Sequence, residues 1–232
     1  MGSERAPFDH VLLTRFSAVL AAGRPPADED WLYYRLGFFL DACLPSVRSQ
    51  RGAQPFEWLV LLDDRCSDGF RADVEALAEG AFTPIWTHET FRRDSFAQHV
   101  ASRCDAPYLI TTRIDSDDAM ALDFMASVQR QFAEQERLFV NFPRGIQIDR
   151  SGAVYRSDIL SSPFLSLIER REEGRLPDTG HDAGPVTTVR ETPALLVPTL
   201  LTAMASVAAG LLAGAPFAPL GIARLIAEGV LR

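Results

Sequence analysis

Lysine is missing from this chain: all 23 basic side chains are arginine. That excludes a lysine Schiff base and a lysine-dependent phosphate loop, but leaves bidentate clamping of phosphate by arginine available. Cysteine is scarce, and Cys43, Cys66 and Cys104 stand at no C-x-x-C spacing. Neither a zinc ribbon nor a redox pair is therefore suggested, and an odd, scattered set fits a reducing compartment. The opening MGSERAPFDH has no basic segment leading into an apolar run, so no secretory signal is expected. Positive charge is in deficit as well. With 31 acidic against 23 basic side chains the net charge is −8 and the pI about 5.0, which argues against a nucleic-acid partner. No internal repeat is visible. What the chain does have is apolar substance: 47% hydrophobic residues over 232 positions, enough for the core of one α/β domain with or without an appendage.

Residues 108–119, YLITTRIDSDDA, organise the rest. Leu109, Ile110, Thr111, Thr112 and Ile114 read as a buried strand that runs straight into Asp115, Asp117 and Asp118. Leu122, Met125, Val128 and Phe132 follow at helical spacing, and the helix is expected to reach about Glu136. A buried strand that ends in carboxylates beside a helix N-terminus is where open α/β sheets place ligand chemistry. Asp115 and Asp117, with one residue between them, can reach one hard cation through oxygen if the chain turns there. The alternative is that Asp117 or Asp118 caps the helix, where the dipole favours acids. A helix needs one cap, however, and three carboxylates crowded together gain little without a cation.

The remaining elements read in order. Residues 10–16 (HVLLTRF) form a first strand with Thr14 and Arg15 at its end. Asp30 is expected to cap a largely buried helix over 31–47, with Pro45 inside it or ending it. Residues 56–64 (FEWLVLLDD) are a near-continuous apolar run closing in Asp63 and Asp64, as a parallel strand covered on both faces would be. A helix over 71–79 with Gly80 at its C-terminal end, a strand over 82–87 and a helix over 95–103 after Arg92, Arg93 and Asp94 come next. Beyond the acidic stretch, 138–143 reads as a strand, 145–149 and 153–157 as a hairpin, the segment after Pro163 as a helix, and 175–191 as a loop. From 192 to 223 no residue is charged. The apolar part of this tail is marginal in length for a membrane span, and Gly210 and Gly214 form a GxxxG pair. The expected division is a domain over 8–190 and an apolar helical tail over 191–232.

In their order, HVLLTRFS, FLDACLPSVRSQ, WLVLLDD, LITTRIDSDDAMALDFMASVQ, FVNFPRGIQ and SSPFLSLIE resemble the bacterial family called putative rhamnosyl transferases, glycosyltransferases of the GT-A type. These blocks run from His10 to about Glu169. The resemblance implies an α/β fold with a mostly parallel central sheet flanked by helices. It also implies a metal-dependent enzyme that moves a sugar from a nucleotide-diphosphate donor to a glycan or glycolipid hydroxyl.

Carried over position by position, Thr14 and Arg15 would lie near the nucleotide, and Asp63 or Asp64 would contact base or ribose. Arg92 or Arg93 would meet the donor phosphates, and Arg113 would stand near the metal. Asp115 and Asp117 would bind Mn²⁺ or Mg²⁺, with Asp118 as a third ligand, a supporting partner or a helix cap. An inverting enzyme needs a base for the acceptor proton. Asp158, His181 and Asp182 are the downstream candidates; His181, the only histidine after the acidic stretch, is favoured as base or as an additional metal ligand. The expected location is cytoplasmic, with the tail offering peripheral contact to the inner membrane.

One departure stands out. After VRETPALL the family's aromatic and histidine-bearing segment is replaced by the uncharged stretch. This motivates two alternatives: a catalytically impaired binder of nucleotide sugars, or a membrane-tethered assembly protein.

Overall fold

The computed structural model describes residues 7–148, 152–158, 164–181 and 186–188. The tail expected over 191–232, and Asp182, lie outside the described residues. In chain order the strands are β1 (Phe8–Arg15), β2 (Glu57–Leu62), β3 (Thr83–Trp86), β4 (Tyr108–Arg113), β5 (Arg137–Asn141), β6 (Arg144–Ile148), β7 (Val154–Asp158), β8 (Ser166–Arg170) and β9 (Val186–Thr188). The helices are α1 (Glu29–Phe38), α2 (Leu44–Arg48), α3 (Asp68–Ala78), α4 (Ala97–Ala101) and α5 (Phe124–Gln129).

Seven strands make one sheet in the order β3-β2-β1-β4-β8-β5-β9. β1 pairs in parallel with β2 and β4, β2 with β3, and β5 with β9. Only β8 runs antiparallel, between β4 and β5. The α/β class with a mostly parallel sheet is therefore as expected. The apolar runs are explained by burial on both faces. Leu12 of β1 packs with Phe39, Trp58 and Ile110 on one side, while Val11 and Leu13 pack with Leu59, Leu61 and Leu109 on the other. The first face is the larger. Its centre is an aromatic trio, Phe39, Trp58 and Phe82, with ring centroids 5.4–5.5 Å apart. Each such pair adds about 1 kcal/mol beyond its buried area.

Several elements differ from the sequence reading. The segment after Pro163 is not a helix: β8 occupies the middle of the sheet, with Ser166, Leu167 and Ile168 fully buried. Four consecutive buried residues, Ser166–Glu169, carry no face to distinguish, so the segment's period could not show its conformation. The cap of α1 is Asp28, whose carboxylate accepts the Trp31 N–H at 2.8 Å; Asp30 lies in the first turn. α5 is short and starts at Phe124, with Asp123 in the N-cap position and no side-chain cap bond. It ends at Gln129, seven residues before the expected Glu136.

Pro45 lies inside its helix. Residues Phe39–Cys43 form a π-helical turn that joins α1 to α2. Pro45 has no N–H to give to the carbonyl four residues back, and its ring crowds that carbonyl, so the preceding turn widens. The widened helix grips the loop after β4. Ser46 Oγ accepts the Met120 N–H at 3.2 Å, and the Gln50 amide donates to the Ala121 carbonyl at 2.7 Å and accepts the Met125 N–H at 2.9 Å.

Residues 144–148 and 152–158 belong to a second compact unit. There β6 and β7 pair antiparallel as the expected hairpin, Arg144 opposite Asp158. Among the described residues no helix is long and apolar enough to cross a membrane.

Candidate active site

The parallel strands bring their C-terminal ends to one edge of the sheet. β1 ends in Arg15, β2 runs into Asp63 and Asp64, and β4 ends in Arg113 and leads to Asp115. β1 and β4 are neighbours, yet the chain leaves β1 toward β2 and β3 before it returns to β4. Such a reversal opens a crevice beyond the strand ends, where open α/β sheets bind ligands. A cleft lies there. Leu13 and Arg15 line it from β1, Arg113, Ile114 and Asp115 from β4 and its exit, Phe91, Arg93 and Phe96 from the approach to α4, and Thr179 and Gly180 from the later chain.

The cleft is cationic. Three guanidiniums line it against one carboxylate. Arg15 donates to Asp115 Oδ1 at 3.2 Å and lies over the Phe91 ring, 5.3 Å from its centroid. Arg113 is half-buried. Burial first, and then the charge of Arg15, lower its pKa, with Asp115 and Asp178 acting in the opposite direction. Its Nε is buried with no hydrogen-bond partner among the described residues.

Asp115 lines the cleft, and Asp117 and Asp118 follow it in the chain. The Asp118 N–H donates to the Asp115 carbonyl at 3.1 Å and closes a turn. Arg35 of α1 forks onto Asp117, Nη1 to Oδ2 at 2.7 Å and Nη2 to Oδ1 at 3.0 Å, and Nη2 also reaches Ser116 Oγ at 2.9 Å. Burial, followed by the charges of Asp117 and Asp115, pushes the Asp118 carboxyl up to about 6, while Arg35 acts to lower it. Neither Asp117 nor Asp118 caps a helix, because α5 begins beyond them at Phe124; the capping alternative falls.

Among the described residues no three His, Cys, Asp or Glu side chains converge as a ready metal cage. Two carboxylates completed by substrate phosphate oxygens are, however, a common way to hold Mg²⁺. Burial is the main cause of the raised Asp118 pKa, and the charges of Asp117 and Asp115 that add to it are what a cation would offset. The donor set therefore fits a cation shared with a substrate.

At the end of β2 both acids are engaged. Asp63 is buried, and its carboxylate takes Arg65 Nε at 2.9 Å and Nη2 at 2.8 Å. Burial would raise its pKa, but the bonds and charge of Arg65 outweigh that and hold it below the usual range. Asp64 pairs with His88 Nδ1 at 2.9 Å, and that bond raises the His88 pKa.

Three predicted residues are placed otherwise than expected. Thr14 is fully buried and its hydroxyl accepts Trp58 Nε1–H at 2.9 Å, so it serves the core and not a nucleotide. Alternation along β1 sends Arg15 to the cleft and Thr14 to the opposite face. His181 is 5% exposed, with Nε2 against Thr111 Oγ1 at 2.8 Å. Burial, and then Arg113, lower its pKa to about 3. It is a neutral, enclosed side chain, not a base open to an acceptor. Asp158 is exposed on the separate hairpin, where Arg156 pairs with it at 2.8 Å and lowers its pKa. Arg92 and Arg93 are exposed, and Arg93 lines the cleft and receives Thr179 Oγ1–H on its carbonyl at 2.8 Å.

Sequence reasoning passed over Arg35, Arg65, His88 and Phe91. Arg35 had a signal: it is a lone charge between Trp31 and Phe39 on an otherwise apolar helix, and such a charge needs a partner. The others sit in ordinary polar loops and had none.

No curated protein matches the chain. Among solved structures it is similar to TarS 1-349 of S. aureus, at 12% identity and a TM-score of 0.37, covering 70% of this chain and 47% of that one. The TarS structure in complex with UDP gives 12% identity and a TM-score of 0.38 over 70% and 46% of the two chains. The 4-diphosphocytidyl-2C-methyl-D-erythritol synthase of Anaerococcus prevotii gives 8% and 0.41 over 84% and 96%. The chain thus spans about half the length of the TarS structures it matches. The family model described as "Putative rhamnosyl transferase" matches residues 9–174, from β1 past β8. With well over half of its length inside that match, this chain belongs to the putative rhamnosyl transferase family of transferases.

Proposed function

We propose that this chain is a glycosyltransferase that takes a sugar from a nucleotide-diphosphate donor to a hydroxyl of a glycan or glycolipid, with Mn²⁺ or Mg²⁺ at Asp115 and Asp117. The observation that carries the reading is the crevice beyond the ends of β1 and β4, where Arg15, Arg93 and Arg113 line a cleft together with Asp115, the first of the three clustered acids. An anionic donor suits the arginines and a hard cation the acids.

Transfer breaks the bond between the anomeric carbon and the diphosphate, and negative charge gathers on the leaving group. A divalent cation, when bound, stabilises that charge. Arg15 is held beside that place by Asp115 and Phe91, and Arg113 lines the same cleft. Preorganised guanidiniums stabilise developing phosphate charge without reorganising during the reaction. Arg93, and Arg92 beside it, extend positive charge toward the mouth. Asp63 and Asp64 follow the neighbouring strand β2, and Arg65 and His88 hold their carboxylates in place for hydroxyl or base contacts. The uncharged tail over 192–223 suits contact with a membrane surface that carries a glycolipid acceptor.

Calorimetric titration of dTDP, UDP and GDP, with and without Mn²⁺, tests the reading. Binding of one diphosphate that needs the cation, and that disappears in Asp115→Ala/Asp117→Ala, is the expected result. A folded wild type that binds none of the three, or a double variant that binds like wild type, would overturn it.

A further inference from the structure

Resting on the cation reading above, we propose that Arg35 is the resident counter-cation of the acid cluster and a positioning residue for the donor. It holds Asp117 until a divalent cation takes that carboxylate, and then turns its guanidinium to the diphosphate.

The geometry separates Arg35 from the cleft arginines. It reaches the cluster from helix α1, not from the sheet, across 82 positions of chain. Its two terminal nitrogens take both oxygens of Asp117, at 2.7 and 3.0 Å, and so occupy the carboxylate a cation would need. Arg15 makes one longer contact to Asp115, at 3.2 Å. The Arg35–Asp117 pair is also poorly sealed, with the side chains 23% and 42% exposed. A pair open to water to that degree is weak enough to exchange. Arg35 Nε is buried with no hydrogen-bond partner among the described residues, so the guanidinium is not fully satisfied where it stands. The Trp31 ring lies 5.7 Å from its centre and gives the planar group a face to remain against as its partner changes. Beyond the π-helical turn, Ser46 of α2 and Gln50 just after it bond the loop that follows the cluster, and so tie this continuous helix to it. That tie keeps Arg35 beside the cluster after it lets go. Charge is conserved through the exchange: the cation replaces the guanidinium at the carboxylate, and the displaced guanidinium meets the phosphate that the cation brings.

The test uses Mn²⁺ alone and Mn²⁺ with inorganic pyrophosphate, each titrated into the full chain and followed by the electron-spin signal of free Mn²⁺ and by calorimetry. Removing a competitor should make Arg35→Gln bind Mn²⁺ about fivefold more tightly than wild type, the scale of a half-exposed charge pair. The same variant should bind pyrophosphate in the presence of Mn²⁺ roughly tenfold more weakly, the loss of one charge-assisted contact. Arg35→Lys, which keeps the charge but not the fork, should fall between the two on both measurements. Weaker Mn²⁺ binding by a folded Arg35→Gln, or an unchanged Mn²⁺ affinity, would overturn the proposal while leaving the cation reading intact. Absence of Mn²⁺ binding by wild type and variants alike would overturn both.

Discussion

At the scale of single residues, the buried histidines set how the fold responds to acid. His10 is 2% exposed, between Thr112 Oγ1 at 2.8 Å and the Gln129 amide at 3.1 Å, and burial lowers its pKa to about 3. His181 is lowered to the same value by burial and Arg113. In the unfolded chain both take up a proton near the ordinary 6.5, so below that pH the unfolded state binds more protons than the folded one. Their contribution is therefore whole above pH 6.5 and is lost as pH falls toward 3. The loss is about 1.4 kcal/mol per pH unit per histidine. His88 acts in the opposite direction: its pKa is raised by Asp64, and the stability it lends below 6.5 fades as pH rises through the raised value. Its exposure keeps that contribution small. Urea denaturation at pH 7 and pH 5 should show a clear loss at the lower pH, and His10→Gln should flatten the dependence by one proton. An equal slope in wild type and variant would refute the assignment.

At the scale of elements, the chain after β8 closes the cleft through a close approach. Thr179 Oγ1 donates to the Arg93 carbonyl, and a Cβ at Gly180 would stand 2.5 Å from Arg93 Cβ and 3.2 Å from its Cα. The obstacle is the root of the side chain and not its flexible end, so Arg93 cannot yield without its backbone. Gly180→Ala should cost roughly 1–3 kcal/mol, the usual size of overpacking. It should also weaken nucleotide-diphosphate binding by displacing Arg93. Thermal melting and the titration above check the two parts. The same connection shows why β8 escaped notice. Its residues pair with β4 on one side and β5 on the other, and Ser166 to Glu169 are all buried, so neither alternation nor a helical stripe survives in the sequence.

At the scale of the whole molecule, the seven-stranded sheet and the uncharged tail pose separate questions. The full chain should float with anionic lipid vesicles, while a chain ending at 190 should stay with the soluble fraction. If both behave alike, the tail has no membrane role.

Much of the sheet was legible beforehand because strands buried on both faces must be apolar throughout, and the runs in β1, β2 and β4 are unambiguous. The polar residues that end these runs were equally legible, since a parallel sheet gathers its C-terminal strand ends on one edge. Local chemistry thus determined the class, the edge and the acidic stretch. What only the tertiary structure decided was the facing and partnering of side chains. Thr14 and Arg15 are adjacent in sequence, but the pleat sends one to Trp58 in the core and the other to Asp115 in the cleft. Arg35 meets Asp117, and His181 meets Thr111, across 82 and 70 positions. Such contacts depend on how layers pack over one another, and no local pattern of residues encodes that distance.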